Sequence, residues 1–215
     1  MPTETDCFEM IKRIEDSLSI LHTSRVFYRE YLEIINANSR LKTGNHFLTW
    51  IANNYLYSAT MSLRRILDTR QGTISIYKLF DALQANNHLL TKTSYMTRFT
   101  ADGTGRDLAE ICFSKLADIG HNNGLNIQIL RDQIGSFSSN WERLKNYINE
   151  RIAHEARSPS EELPTISDLD ICIDKTAEVM KIIIAYLKFE SIQSFEPVFQ
   201  YRWRDVFLFP WIDNM

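Results

Sequence analysis

One short segment of the chain combines an arginine and a histidine, the two side chains best suited to phosphate chemistry without a metal. Arg151 and His154 lie three residues apart near the end of the segment from Tyr147 to His154. Histidine has an ordinary pKa of about 6.5, so it can take up and release protons near neutral pH. Arginine stays charged and can bind two phosphate oxygens at once. The pair predicts a site able to bind and cleave a phosphodiester.

The spacing of apolar residues predicts that this pair ends a long helix. At about 100° per residue, His154 lies about 120° from Ile148, which is in the middle of the apolar face, and Arg151 is its neighbour one turn earlier. We therefore expect both side chains to lie off the core face. Gly135 and residues 136–139 are the points where this helix could be interrupted. The apolar face comprises Ile127, Leu130, Ile134, Phe137, Trp141, Leu144, Ile148 and Ile152.

A purely structural role for the same residues stays open. Histidine is favourable at the C-terminus of a helix because of the helix dipole. Arg151 could pair with Glu150 or with an acid of the following loop. The motif by itself does not choose between these roles.

Composition limits the kinds of protein that fit. The chain has 215 residues, of which 44% are hydrophobic and 24% charged, as expected for one globular domain. Its formal net charge of −3 exerts no general attraction on nucleic acid, so phosphate binding would need a local patch. Three isolated cysteines predict reduced thiols, and no spacing predicts a metal site. The acidic N-terminus and the lack of a membrane-length apolar run predict a cytoplasmic protein.

Helical periodicity along most of the chain predicts an all-α fold, an up-and-down bundle of five or six helices. The first long helix should end before Gly44, and the second should run from Phe47 to Arg65. Ser75 is the expected cap of the third. The remaining expected features are a break at 102–105, a helix from 108 to 120, a turn at 120–124, the helix that carries the motif, a loop at 158–164, and a last helix that Ser167 or Asp168 begins.

The second predicted helix mixes polar and apolar residues on one face, so we expect it to face something other than the core. Near its end, Arg64 and Arg65 lie four and three residues before Asp68. This spacing allows an ion pair that pins the helix end. The alternative is that one of the arginines contributes a cation to the histidine site.

The C-terminal segment differs from the rest, because aromatic residues alternate with polar ones from Phe199 to Trp211. A period of two predicts an extended strand or clamp. We expect a bundle over residues 1–192 and a tail over 193–215 that packs on the bundle or on a dimer partner. Arg202 and Arg204 leave open that the tail stacks on nucleobases.

Three of these segments, taken in order, resemble one known family. They are Ser62 to Asp68, Asn149 to His154 and Pro164 to Asp170, spread across roughly residues 10 to 190. Together they are similar to the HEPN superfamily, and within it to the AbiU-type branch linked to abortive infection in bacteria. The resemblance implies an all-helical, commonly homodimeric protein whose active members are metal-independent ribonucleases acting at the dimer cleft.

The resemblance also implies roles for particular residues and partners. His154 would be the general acid or base and Arg151 the phosphate ligand, with Asn149, Tyr147, Arg64 and Arg65 binding substrate. No metal or cofactor is implied, and the expected partners are RNA, a second copy of the chain and a cognate antitoxin or partner protein, but no membrane. The family's arginine is expected just before Asn149, where this chain has Ile148.

Three functions therefore follow as hypotheses. The first is a ribonuclease or toxin component of a phage-defence or toxin–antitoxin system. The second is a catalytically degenerate dimeric scaffold or RNA- or nucleotide-binding module, which the isoleucine at position 148 favours. The third, outside the family, is a helical interaction protein whose aromatic tail completes an oligomer.

Overall fold

The computed structural model describes residues 2–38, 46–101, 105–153 and 162–208, and these residues form eight α-helices and no strand. The all-α prediction is confirmed. His154, Gly44, residues 102–104, most of the 158–164 loop and the last aromatic residues of the tail lie outside the described residues. The helices are α1 (Glu4–Ala37), α2 (His46–Ile66), α3 (Ile76–Ala85), α4 (Lys92–Ala101), α5 (Arg106–Ala117), α6 (Ile127–Gly135), α7 (Ser138–Tyr147) and α8 (Ile166–Leu187).

Helix α8 lies at the centre of the fold, and α1, α2, α6 and α7 pack around it. Twelve of its 22 residues are buried, whereas Asp174, Lys175 and Glu178 lie on its exposed side. It begins one or two residues earlier than predicted. Thr165 is the N-cap, and Asp168 completes a capping box in which each side chain accepts a hydrogen bond from the other residue's backbone N–H.

Helix α1 changes character along its length. Its first half buries an apolar face, Cys7, Ile11, Ile14, Leu18 and Leu21, as the spacing predicts. Beyond Leu21 the buried positions are His22, Arg25 and Tyr31, while Leu32 is 36% exposed. The second half of α1 therefore packs through polar and aromatic groups.

The chain between α3 and α5 contains a helix that periodicity did not predict. Ser75 caps α3 as expected, through a hydrogen bond from the N–H of Lys78. A 3₁₀ turn, Asn87–Leu90, then leads into α4. Tyr95 of α4 is 1% exposed and contacts Phe99 and Phe113, so this short helix belongs to the core.

The predicted single helix from 127 to 152 is three elements. Gly135 and Ser136 end α6, α7 begins at Ser138, and a π-helical segment follows at Ile148–Ala153. In a π-helix the hydrogen bonds run from i to i+5, so each turn holds more residues than in an α-helix. The predicted direction of the His154 side chain assumed the α-helical rotation of about 100° per residue. That rotation does not apply to the described π-helical residues just before it.

The tail does not form the predicted strand over its described residues. It ends instead in a 3₁₀ turn at Trp203–Phe207. Phe27 of α1 lies 5.0 Å from Phe199 and 4.8 Å from Trp203, measured between ring centroids. Arg204 pairs with Glu30 and with the neighbouring Glu33, so α1 neutralises one of the tail's two predicted base-stacking arginines.

Three further findings concern the cysteines, metal binding and the membrane. Cys7, Cys112 and Cys172 are free thiols. Within the described ranges, no three histidine, cysteine or acidic side chains lie together as a group able to hold a metal ion. None of the helices formed by those residues combines the length and apolar character needed to cross a membrane.

Candidate functional site

The π-helical segment Ile148–Ala153 carries the part of the predicted site that the structure describes. Arg151 is exposed, whereas Asn149 and Glu150 are half-buried. π-helical turns are rare and often mark functional positions, because the wider turn redirects side chains relative to the helix before it. The prediction for His154 itself stays a prediction, since that residue lies outside the described ranges.

Ile148 is fully buried. This is the position at which the family pattern expects an arginine. A guanidinium buried to this extent would lose its hydration, which is costly. In this chain the position belongs to the core, and the arginine that reaches solvent from the π-helical segment is Arg151.

Tyr147, at the start of the π-helical segment, contacts a tyrosine of α2 that sequence reasoning missed. Its ring lies 6.3 Å from that of Tyr57, centroid to centroid. Burial, together with a hydrogen bond to Tyr57, raises the pKa of Tyr147 to about 12, although nearby Arg151 acts in the opposite direction. Tyr147 is therefore neutral at physiological pH and serves as a hydrogen-bonding contact between α2 and the segment that carries Arg151.

The predicted ion pairs of Arg64 and Arg65 with Asp68 are wrong. Helix α2 ends at Ile66, so Asp68 has left the helical face and instead binds Arg70, with Oδ2 2.9 Å from Nε and 2.7 Å from an Nη atom. This pairing lowers the pKa of Asp68. Neither Arg64 nor Arg65 has an ion pair or hydrogen bond to the part of the chain that the structure describes.

Arg64 does not lie next to Arg151 in one chain. It lines a groove of about 330 Å³ together with Trp141 and Lys145 of α7. Because Tyr57 meets Tyr147 while Arg64 meets earlier residues of α7, the two helices run antiparallel. The π-helical segment also contacts α2.

The helix that leads to the π-helical segment is fixed to α8 by a charged cluster around Asp168. Arg143 pairs with this carboxylate, and Asn140 donates a second hydrogen bond from 2.7 Å. Thr165 donates two more through its N–H and hydroxyl. Burial acts to raise the pKa of Asp168, but these hydrogen bonds outweigh it and hold the pKa well below its ordinary value. The cluster thus positions α7 and whatever follows it.

A second buried polar cluster, between α1 and α8, was also missed. Arg25, 4% exposed, donates to Asp174 from 2.6 Å and lies 3.0 Å from Nδ1 of His22. Because an arginine can only donate, the imidazole accepts through Nδ1 and carries its proton on Nε2, which has no hydrogen-bond partner among the described residues. Burial and the Arg25 charge together lower the pKa of His22 to about 4.

His22 should make the stability of the protein depend on pH. The unfolded chain binds a proton at His22 below about pH 6.5, whereas the folded chain does so only below about pH 4. The unfolded state therefore gains protons first, and the free energy of unfolding should fall by about 3 kcal/mol as pH drops from 7 to 4. Urea unfolding across this range measures the slope.

The matched variants are His22→Gln, which cannot titrate, and His88→Gln, whose imidazole is 65% exposed. We expect His22→Gln to remove most of the slope and His88→Gln to leave it unchanged. Burial also lowers the pKa of His121, so a smaller slope of the same sign should persist. An unaltered slope in His22→Gln would contradict the assignment.

Comparison with known proteins identifies the group to which this chain belongs. The model of the HEPN family AbiU2 matches residues 9–188. The chain belongs to the AbiU2 family of HEPN proteins. The match spans α2, α7, the π-helical segment and α8, so all three segments that carry the resemblance lie inside it. No curated protein and no solved structure matches this AbiU2-family chain.

Proposed function

We propose that this AbiU2-family protein is a metal-independent RNA endonuclease, the toxin component of a phage-defence or toxin–antitoxin system. Family membership supports the class of protein, and the observation that carries the proposal is the exposed Arg151 on the π-helical segment next to Tyr147. Arg151 would bind the scissile phosphate. The cognate antitoxin or partner protein would bind over the same surface.

Cleavage of RNA by this route needs two proton transfers and one positive charge beside the phosphate. A base takes the proton of the ribose 2′-hydroxyl, that oxygen attacks the phosphorus, and an acid protonates the departing 5′-oxygen. The products are a 2′,3′-cyclic phosphate and a free 5′-hydroxyl. His154 would perform the transfers, and Arg151 would stabilise the charge that develops on the phosphoryl oxygens.

A homodimer would complete this site. One chain supplies one His154, whereas the reaction uses a base and an acid. A two-fold axis beside the π-helical segment would present the same surface from both chains, and so two histidines across one cleft. We therefore propose a symmetric dimer as the active form.

The test is cleavage of single-stranded RNA by purified protein in the presence of a metal chelator. We expect His154→Ala to lower the rate by at least about 100-fold, as general acid–base groups typically contribute that much. Arg151→Lys should retain more activity than Arg151→Ala, because a lysine keeps the charge but not the bidentate fork. His88→Ala is the control, since His88 is exposed and lies beside Glu4 on another face.

The burial of Ile148 favours one alternative, a catalytically degenerate dimeric scaffold that binds RNA or a nucleotide. That function predicts RNA binding without turnover in the parent protein. If the parent cleaved RNA and His154→Ala did not, the alternative would fail. If both cleaved RNA at the same rate, the endonuclease proposal would be wrong, with a contaminating nuclease the remaining source of the activity.

A further inference from the structure

Helix α2 presents a partly exposed face that joins aromatic and basic residues in one row. At about 100° per residue, Trp50, Tyr57 and Arg64 lie within about 40° of one another, with Arg65 at the edge of the same face. We call these four residues the α2 face. Trp50 is 60% exposed and Tyr57 39% exposed. A tryptophan this exposed is unusual in a helix with an apolar side already packed on the core.

Helix α2 itself supplies no negative charge to this face. It contains no aspartate or glutamate among its 21 residues, although the whole chain has a net charge of −3. Arg64 and Arg65 form no ion pair with the described residues. Arg64 is half-buried and interacts electrostatically with Asp68, which lines the same groove, so the exposed Arg65 is the better placed of the two to bind an anion.

One end of the α2 face opens into an aromatic groove of about 470 Å³ between α1, α2 and the 3₁₀ turn of the tail. Trp50 and Trp203 form two of its walls, and Tyr28 stacks on Tyr55 beneath them with ring centroids 4.1 Å apart. A space of this size and lining suits a flat aromatic ring. The groove is lined by Ser24, Phe27, Tyr28, Tyr31, Trp50, Ile51, Asn54, Tyr55, Ser58, Trp203 and Phe207.

Two tyrosines of the lining carry buried hydroxyl groups. Tyr31 and Tyr55 are 8% and 9% exposed, and neither hydroxyl has a hydrogen-bond partner within the described parts of the chain. The Tyr55 hydroxyl interacts electrostatically with Asp170, Arg25 and Arg29, so it belongs to the charged cluster between α1 and α8. The lining therefore offers an occupant mainly aromatic surface, and a nucleobase would bind it through its flat face.

A second copy of the chain fits this surface less well. In a two-fold interface the same patch meets itself, so the arginines of one α2 would face another helix without a carboxylate. Nothing on either α2 would neutralise them. A polynucleotide supplies the anion for the arginines and the flat rings for the tryptophan and tyrosine.

We propose that the α2 face and the adjoining aromatic groove bind single-stranded RNA. One nucleobase enters the groove against Trp50, another stacks on Tyr57, and Arg64 and Arg65 hold phosphates. From Trp50 to Arg65 the helix rises roughly 22 Å, so the strand would cover several nucleotides. This inference rests on the proposed function for the identity of the ligand, and it places the strand beside the π-helical segment that carries Arg151.

Binding is measured without turnover, in the full-length protein carrying His154→Ala. The probe is a fluorescently labelled 12-nucleotide single-stranded RNA, either oligo-uridine or oligo-adenosine, followed by anisotropy. We expect Trp50→Ala to weaken binding at least about fivefold, as loss of one stacked base does, and Trp50→Phe to stay within about twofold of the parent.

The contribution of Arg64 and Arg65 is measured by the dependence of RNA affinity on salt concentration. For single strands, the slope of log affinity against log salt is about −0.7 per phosphate contact, so Arg64→Ala with Arg65→Ala should make it shallower by about 1.4. Arg106→Ala is the control, an exposed arginine on α5 with no ion pair to the described residues. We expect it to leave both affinity and slope unchanged.

Several outcomes would overturn the inference. RNA affinity equal to the parent in Trp50→Ala and in the double arginine variant would do so. A second contrary outcome is a change of oligomeric state. If light scattering showed that the parent is a dimer and Trp50→Ala a monomer, while the RNA affinity per chain stayed unchanged, the α2 face would be a contact between copies of the chain. The endonuclease proposal is tested separately: a parent that binds RNA through Trp50 but never cleaves it contradicts only that proposal.

Discussion

Replacing Asp168 with alanine should lower the free energy of unfolding by about 3 kcal/mol at pH 7, because the carboxylate accepts hydrogen bonds from three residues at once. Its side chain is 7% exposed, and the loss would leave the Arg143 guanidinium, among the residues that the structure describes, with the exposed Glu162 as its one ion-pair partner, 3.6 Å away. The N-terminal capping box of α8 would also be lost. Urea unfolding of parent and variant measures the difference.

The pH dependence of this loss has a definite sign. The hydrogen bonds keep the pKa of Asp168 below its unfolded value, near 3.9, so its contribution is fully present above about pH 4 and disappears as pH falls through the folded pKa. The difference between parent and variant should therefore be constant from pH 7 to pH 5 and shrink only in stronger acid. The contribution of His22 to stability, in contrast, changes between pH 6.5 and pH 4, so the contributions of the two residues can be separated.

Glu162→Gln is the control for Asp168, since Glu162 contacts the same arginine but is 69% exposed. Surface ion pairs contribute little, and we expect a change below about 0.5 kcal/mol. Asp168→Asn should fall between the two, because an amide can still accept a hydrogen bond but carries no charge. A loss in Asp168→Ala no larger than in the control would show that the cluster does not hold α7 to α8.

Gly124→Ala should destabilise the protein by about 4 kcal/mol. Gly124 has a φ of +128°, and a Cβ built there would lie 1.9 Å from the carbonyl oxygen of Leu90. That oxygen cannot move freely, since it accepts hydrogen bonds from the N–H of Leu125 and the hydroxyl of Tyr186, each 2.8 Å away. The estimate combines a strained backbone with the loss of at least one of these hydrogen bonds.

Gly72→Ala is the matched comparison for Gly124→Ala. Its φ is also positive, +78°, but a Cβ there would have nothing within 4 Å. We expect only the intrinsic cost of a left-handed backbone, about 1 kcal/mol. Thermal or urea unfolding of both variants separates steric contact from backbone preference, and equal losses would mean that the contact with Leu90 relaxes easily.

Local chemistry was sufficient to predict several features of the fold. Ser75 starts α3, because a serine side chain accepts a hydrogen bond from the first turn whatever lies around it. The turn at 120–124 was predicted from its glycines, and Gly120 and Gly124 both have positive φ. Each feature depends on residues close in sequence.

Other features were predicted wrongly because distant residues decide them. α4 was missed, since its threonines are weak helix formers, and burial of Tyr95 against Phe113 and Tyr186 stabilises it. The alternating aromatics of the tail predicted a strand, but no described strand lies beside them. They pack on α1 instead, through Phe27.

The sequence by itself determined the all-helical class, the start of α3 and the family, because periodicity, capping residues and motif order are local properties. It also selected Arg151 and His154 as the candidate reactive pair. Only the tertiary structure decided that Ile148 is a core residue, that Asp68 binds Arg70, and that exposed residues of α2 form a continuous aromatic and basic face. Burial and ion pairing depend on which elements meet in space, and a linear pattern of residues does not contain that information.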